Sequence, residues 1–183
     1  MISASASPGV TQLLASQLAA FLALLLAASA LHKWLNWQRT RSVAREFARV
    51  PRFAAGAAVA AAGLYELLAS VLLFIPADRA RGAWLGALIF ALYLALIVRA
   101  IVKNNRDVDC GCTFGPARHS LGAFEVWRNA SLTVFAALVA VSAANGAPPV
   151  APSQAFGACA LLALYAAVDQ VMGVRPMRQG AVL

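Results

Sequence analysis

Five long apolar stretches constrain the fold of this chain more than any other feature of its sequence. They cover residues 13–35, 53–75, 83–102, 124–144 and 154–172 and carry almost no charge. A membrane-spanning helix needs about 20 predominantly apolar residues, so each stretch is long enough to cross a bilayer. The sequence therefore predicts an all-α bundle of five membrane helices, four packed together and one peripheral, forming a single membrane domain over residues 1–183.

Composition agrees with this prediction. The 183 residues are 62% hydrophobic and 12% charged, whereas soluble domains carry about 25% charged residues. No Lys or Arg precedes the first stretch, so we expect a retained helix rather than a signal peptide. All four tryptophans, at Trp34, Trp37, Trp84 and Trp127, fall near predicted span ends, where interfacial tryptophan is favoured.

The net charge of +8 would suit a nucleic-acid partner, but the distribution of the charges favours membrane topology. One side of the predicted membrane carries 13 basic residues and the other carries two, Arg79 and Arg81. The positive-inside rule makes the rich side cytoplasmic, with the N-terminus outside. The 13 are Lys33, Arg39, Arg41, Arg45, Arg49, Arg52, Arg99, Lys103, Arg106, Arg118, Arg128, Arg175 and Arg178.

A Cys-Gly-Cys triplet, Cys110-Gly111-Cys112, lies in the polar loop after the third span. A disulfide across one intervening residue is tight and strained, and strained disulfides are more oxidising. Three interpretations stay open: a redox-active pair, two structural thiols, or a metal site with His119, although the spacing is not that of a zinc module. Cys159 in the last span is predicted to be a small buried apolar residue.

Ionisable residues inside the spans are the other candidates. Glu66 lies near the middle of the second span, where a carboxylate costs several kcal/mol unless it is protonated or paired. Asp169 lies near the end of the last span, at a depth similar to four basic residues. Those four, Arg99, Arg128, His32 and Lys33, either form ion pairs with it beside the cysteine loop or extend to the headgroups.

These elements together resemble the MauE family, the methylamine utilisation membrane proteins, which are distantly like the DoxX group. The family's loop usually reads Cys-Gly-Cys-Phe-Gly, and Thr113 departs from that pattern. The resemblance covers most of the chain. Its matching elements are Lys33, Glu66, the run Asp109-Cys110-Gly111-Cys112-Thr113-Phe114-Gly115, and Arg128-Asn129.

The resemblance implies a multi-pass protein of a bacterial inner membrane with a role in maturing a disulfide-rich subunit of a periplasmic amine dehydrogenase, alongside a thioredoxin-like partner, MauD. On this basis Cys110 and Cys112 are the expected catalytic pair of a thiol-disulfide oxidoreductase. A membrane quinone is a chemically suitable second carrier, because a dithiol and a quinone both exchange two electrons. The expected supporting residues are Gly111, Glu66, Lys33, Arg99 and Arg128.

Two other functions stay open. The first is a non-enzymatic scaffold or chaperone that recruits the thioredoxin-like partner and uses the cysteines only structurally. The second is a small-solute or metal transporter whose path Glu66 and Asp169 would line.

The charge rule and the resemblance disagree about the side of the cysteine loop, since periplasmic maturation implies a periplasmic partner. Three explanations of this disagreement stay open. The loop re-enters the membrane and is reached from the other side, or the cysteine pair takes electrons from cytoplasmic thiols, or the number of spans before the loop differs by one from the prediction.

Overall fold

A computed structural model describes residues 9–47, 49–103, 122–144, 146 and 148–173. Cys110, Gly111 and Cys112 lie outside the described residues. Within the described part the secondary structure is helical and contains no strand. Five of the helices are long and apolar enough to cross a membrane. The predicted all-α membrane bundle is therefore confirmed, and the chain is a multi-pass membrane protein.

Six α-helices follow one another along the described chain, and a short 3-10 turn, Pro76–Asp78, joins the third to the fourth. The spanning helices keep their backbone hydrogen bonds within one segment, as a lipid environment requires. The helices are α1 Val10–Leu35, α2 Trp37–Phe47, α3 Ala55–Phe74, α4 Arg79–Val102, α5 Ala123–Ala144 and α6 Pro152–Gly173.

Four helices close into a ring. Helix α1 packs against α3 and α5, and α4 packs against the same two helices from the other side. Helix α6 packs mainly against α1 and is the least buried of the five spanning helices, so it is the peripheral helix. The short α2 is amphipathic, and it packs against α3.

Small residues allow the ring to pack closely. Lipid is as apolar as leucine, so helices in a membrane associate through close packing rather than through the hydrophobic effect. A Cβ atom added at Gly82 would lie 2.6 Å from the backbone nitrogen of Leu73, so α4 crosses α3 there at a distance that only glycine allows. At Gly86, one turn on, the nearest atom would be Leu26 Cδ1 at 3.5 Å.

The bundle has two ends. We call the cysteine end the one formed by the last residues of α1, α4 and α6 and the first residues of α3 and α5, because segment 104–121 connects α4 to α5 there. The far end is the opposite one, where the 3-10 turn joins α3 to α4 and Pro148 precedes α6.

The prediction for Cys159 was wrong. Its side chain is exposed, on the peripheral helix α6. The error has a physical cause, because a residue facing lipid is as apolar as one facing protein. Hydrophobicity alone therefore does not separate the two in a membrane helix.

Candidate functional site

A buried ion pair joins α1 to α3 inside the ring. Lys33 Nζ donates to Glu66 Oε1 and Oε2 at 2.8 and 2.9 Å. Lys33 is 6% exposed and Glu66 is 0% exposed. Lysines near helix ends usually extend toward the headgroups, but this one turns into the bundle. The carboxylate that the sequence places in mid-span is therefore paired with a lysine.

Ser29 and Tyr93 complete this group, which we call the Lys33–Glu66 cluster. Lys33 Nζ also donates to Ser29 Oγ at 2.7 Å. Ser29 Oγ and Tyr93 Oη both donate to Glu66 Oε1, at 3.2 and 2.6 Å. The ammonium also lies 5.3 Å from the centre of the Tyr93 ring, within the range of a cation–π contact. Three helices thus meet at one neutral, hydrogen-bonded group.

A second buried ion pair joins α5 to the peripheral α6. Arg128 Nη1 donates to Asp169 Oδ1, and both side chains are buried. The guanidinium carbon also lies 6.0 Å from the Phe124 ring centre. Asp169 Oδ2 is buried and accepts no hydrogen bond from the described residues.

The start of α5 fixes the position of Arg128. The Gly122 backbone N–H donates to Glu125 Oε2 at 2.7 Å, half of a capping box that satisfies one of the free amides of the first turn. Asn129 Nδ2 donates back to the Glu125 carbonyl oxygen at 2.9 Å. Arg128 follows Gly122 by six residues, so its depth below the cysteine end is set by this cap.

A small cavity lies between the two groups. Its volume is about 30 Å³, enough for one water molecule. Ser29 and Tyr93 line it on one side, and Arg128 and Asn129 line it on the other. The Lys33–Glu66 cluster and the Arg128–Asp169 pair therefore border a common cavity at the cysteine end of the ring.

A larger apolar groove opens between α5 and α6, floored by α1. Its volume is about 570 Å³, and Arg128 is its one charged lining residue among those described. We call it the α5–α6 groove. Its aromatic lining residues are Phe21, Phe124, Trp127, Phe135 and Tyr165, and its others are Leu18, Arg128, Ser131, Leu132, Leu161, Leu164 and Val168.

Of the predicted supporting residues, the structure brings Lys33 and Glu66 together and places Arg128 nearby. Arg99 is exposed on α4 and belongs to neither group. Asp169 pairs with Arg128, one of the four partners expected from its depth. No three His, Cys, Asp or Glu side chains within the described ranges lie close enough together to hold a metal ion.

Sequence reasoning missed Ser29, Tyr93 and Arg79. The spacing of Ser29 and Lys33, four residues apart, was a usable signal, because such residues share a helix face. Tyr93 carried no comparable signal, since its role depends on how α4 packs. Arg79 was assigned to a loop, but it is the first residue of α4 and is buried.

Comparison with known proteins gives one family. The family model described as methylamine utilisation protein MauE matches residues 11–143. The chain is also 28% identical over 144 residues to the methylamine utilization protein MauE of Paracoccus denitrificans, covering 78% of this chain and 75% of that protein. No solved structure matches the chain at a significant level.

Breaking the Lys33–Glu66 pair from either side should destabilise the protein. Glu66→Gln or Lys33→Met leaves one buried charge uncompensated, which costs about 3–5 kcal/mol. The double variant should recover a large part of this loss, because neither charge remains. The measurement is the free energy of unfolding in detergent for the four members of the cycle.

The exposed pair Arg81–Asp78 supplies the control, since Arg81→Gln should change stability by under about 1 kcal/mol. Additive losses in the double variant would show that Lys33 and Glu66 act independently.

Proposed function

Because this chain belongs to the MauE family of methylamine utilisation proteins, we propose that it is a membrane thiol–disulfide redox protein. It supports disulfide formation in a periplasmic enzyme of the amine-dehydrogenase small-subunit type, together with a thioredoxin-like, MauD-type partner. Family membership itself places the protein in methylamine utilisation. The redox role, the enzyme that is matured and the partner are the content of the proposal.

The observation that carries the proposal is the convergence of two buried ion pairs on the cysteine end. Lys33–Glu66 and Arg128–Asp169 both lie in the half of the bundle to which the cysteine segment is attached. The segment that contains Cys110 and Cys112 follows directly after Lys103, the residue that ends α4 at this end of the bundle. Buried ionisable groups in a membrane are costly and mark functional sites.

The proposed reaction consists of two successive exchanges, each of two electrons and two protons. A disulfide between Cys110 and Cys112 accepts two electrons and two protons from a dithiol of the partner, which becomes a disulfide. The reduced Cys110–Cys112 pair then passes two electrons and two protons to a second carrier and returns to the disulfide.

A membrane quinone is the second carrier in this proposal, and the α5–α6 groove is where it binds. The groove is apolar and aromatic along most of its length and has Arg128 as a lining residue. An isoprenoid tail matches the apolar wall, and a quinone carbonyl matches the guanidinium donor. A carrier dissolved in the bilayer reaches this groove from the lipid, whichever side the cysteines face.

The charge distribution favours the cytoplasmic side for the cysteine end. Lys33 and Arg128 are buried in ion pairs and Arg79 is buried at the far end, so none of the three sits in the interface. Without them the count becomes 11 basic residues against Arg81 alone, and the bias remains. Three spanning helices precede the cysteine segment, as the sequence predicted. In this orientation, exchange with a periplasmic partner requires either that the loop re-enters the membrane or that cytoplasmic thiols take part.

Replacing both cysteines should abolish maturation of the partner enzyme. Cys110→Ser with Cys112→Ser removes both sulfur atoms that the exchange requires, whereas Cys159→Ser should leave maturation unchanged, because Cys159 lies on α6 and is exposed. The measurement is the disulfide content and activity of the amine dehydrogenase in cells that carry each variant. Full maturation in the double variant, with partner binding retained, would favour the scaffold over the redox protein.

Thiol labelling in intact cells should locate the cysteine pair. In a Cys159→Ser background, a bulky maleimide that cannot cross the inner membrane should label the pair only after permeabilisation and reduction. Parallel samples, one only reduced and one only permeabilised, separate an oxidised pair from a hidden one. Labelling after reduction alone would place the disulfide outside and contradict the orientation that the charges favour.

Filling the α5–α6 groove should slow oxidation of the cysteine pair by quinone. Leu161→Trp places a bulky ring in the groove, whereas Leu138→Trp changes an exposed residue of α5 that does not line it. The measurement is the loss of free thiols when the reduced protein is mixed with a short-chain quinone in detergent. We expect a rate at least about tenfold lower for the groove variant, and equal rates in both variants would place quinone chemistry elsewhere.

A further inference from the structure

An arginine with no counter-ion among the described residues is buried at the far end of the bundle. Arg79, the first residue of α4, is 2% exposed. Its Nε donates to the Leu73 carbonyl oxygen at 3.0 Å. Its Nη1 donates to the Pro148 carbonyl oxygen at 2.7 Å and to Ser16 Oγ at 3.4 Å. Its Nη2 is buried and finds no acceptor among the described residues.

No acidic residue in the described part of the chain neutralises this charge. Seven acidic residues are present in the whole chain, and the nearest in sequence, Asp78, pairs with Arg81 at 2.6 Å. The others belong to α2, to the two buried groups near the cysteine end, to the start of α5, or to the segment attached at that end. They are Glu46, Glu66, Asp107, Asp109, Glu125 and Asp169. A buried charge without a partner costs several kcal/mol, so an anion bound beside Arg79 would stabilise the protein.

Arg79 lines a polar cavity of about 210 Å³. The first turns of α1 contribute Thr11, Gln12 and Ser16, and the last turn of α5 contributes Ser142. Hydroxyl and amide groups from two helices therefore face the same space as the guanidinium. The first turn of α1 adds the positive end of a helix dipole, which also favours an anion.

We infer that this cavity binds a phosphate-type oxyanion beside the Arg79 guanidinium. A tetrahedral oxyanion accepts hydrogen bonds from several directions, which suits donors that come from α1, α4 and α5. The far end is also where the spanning helices leave the membrane, so the same chemistry is available from inorganic phosphate or from the phosphodiester of a lipid headgroup. The inference uses neither the cysteines nor the α5–α6 groove and is independent of the redox proposal.

The test measures anion binding to the purified full-length chain in an uncharged detergent. One arm titrates inorganic phosphate against sodium chloride of equal ionic strength. The other arm adds phosphatidylglycerol against a galactosyl diacylglycerol, which lacks phosphate. The readout in both arms is the shift in the thermal unfolding midpoint, converted into an apparent dissociation constant.

Arg79→Gln should raise that dissociation constant about 10- to 100-fold, the range for losing a charge-assisted hydrogen bond. Arg81→Gln is the matched control. It also removes one arginine charge, two residues further along the chain, but the Arg81 side chain is 80% exposed. This control should bind as the unchanged protein does. A response to phosphate alone assigns a free anion, a response to phosphatidylglycerol alone assigns a headgroup, and either one supports the site.

Two results would overturn the inference. One is the absence of any shift beyond the chloride and galactolipid references, and the other is an equal shift in Arg79→Gln. If Arg79→Gln does not fold, Thr11→Val and Ser142→Ala decide instead, because both residues line the cavity without a hydrogen bond to Arg79. Each should weaken binding several-fold, and unchanged binding in both would contradict the site.

Discussion

Charge neutralisation inside a low-dielectric bundle is the constraint on which this structure depends. The ring of α1, α3, α4 and α5 is assembled largely from small apolar residues, which pack closely but specify little. Lys33 and Glu66 supply specificity, because their pairing requires one rotation of α1 relative to α3. Tyr93 extends the same requirement to α4. A polar group of this kind has only one set of partners, whereas an alanine surface has many.

Buried cations have different partners at the two ends of the bundle. At the cysteine end each buried cation has its own carboxylate, on a different helix. At the far end Arg79 is held by two backbone carbonyls and a hydroxyl, which orient the guanidinium without cancelling its charge. The bundle is therefore electrically asymmetric along its axis, with neutral pairs near the cysteines and a net positive site opposite them.

Much of this architecture could be predicted from the sequence, because hydropathy and helix length determine how many segments cross a bilayer. The candidate residues Glu66 and Lys33 could be found for a related reason, since any charge in an apolar stretch stands out. Their pairing could not be deduced, because it depends on which faces of α1 and α3 meet. Arg79 was missed because a charge beside a proline-containing turn looks like a loop residue. The exposure of Cys159 was missed because lipid and protein interiors select similar side chains.

The peripheral position of α6 has a consequence for how the protein is made. The four helices that form the ring are all synthesised before α6, so the ring can close while the last helix is still on the ribosome. Asp169 arrives only with that helix, and until then Arg128 has no carboxylate from α6. The α5–α6 groove likewise has only one wall until that moment. Insertion of α6 therefore both completes the groove and brings Asp169 to the arginine that lines it, so this site forms only after α6 has been made.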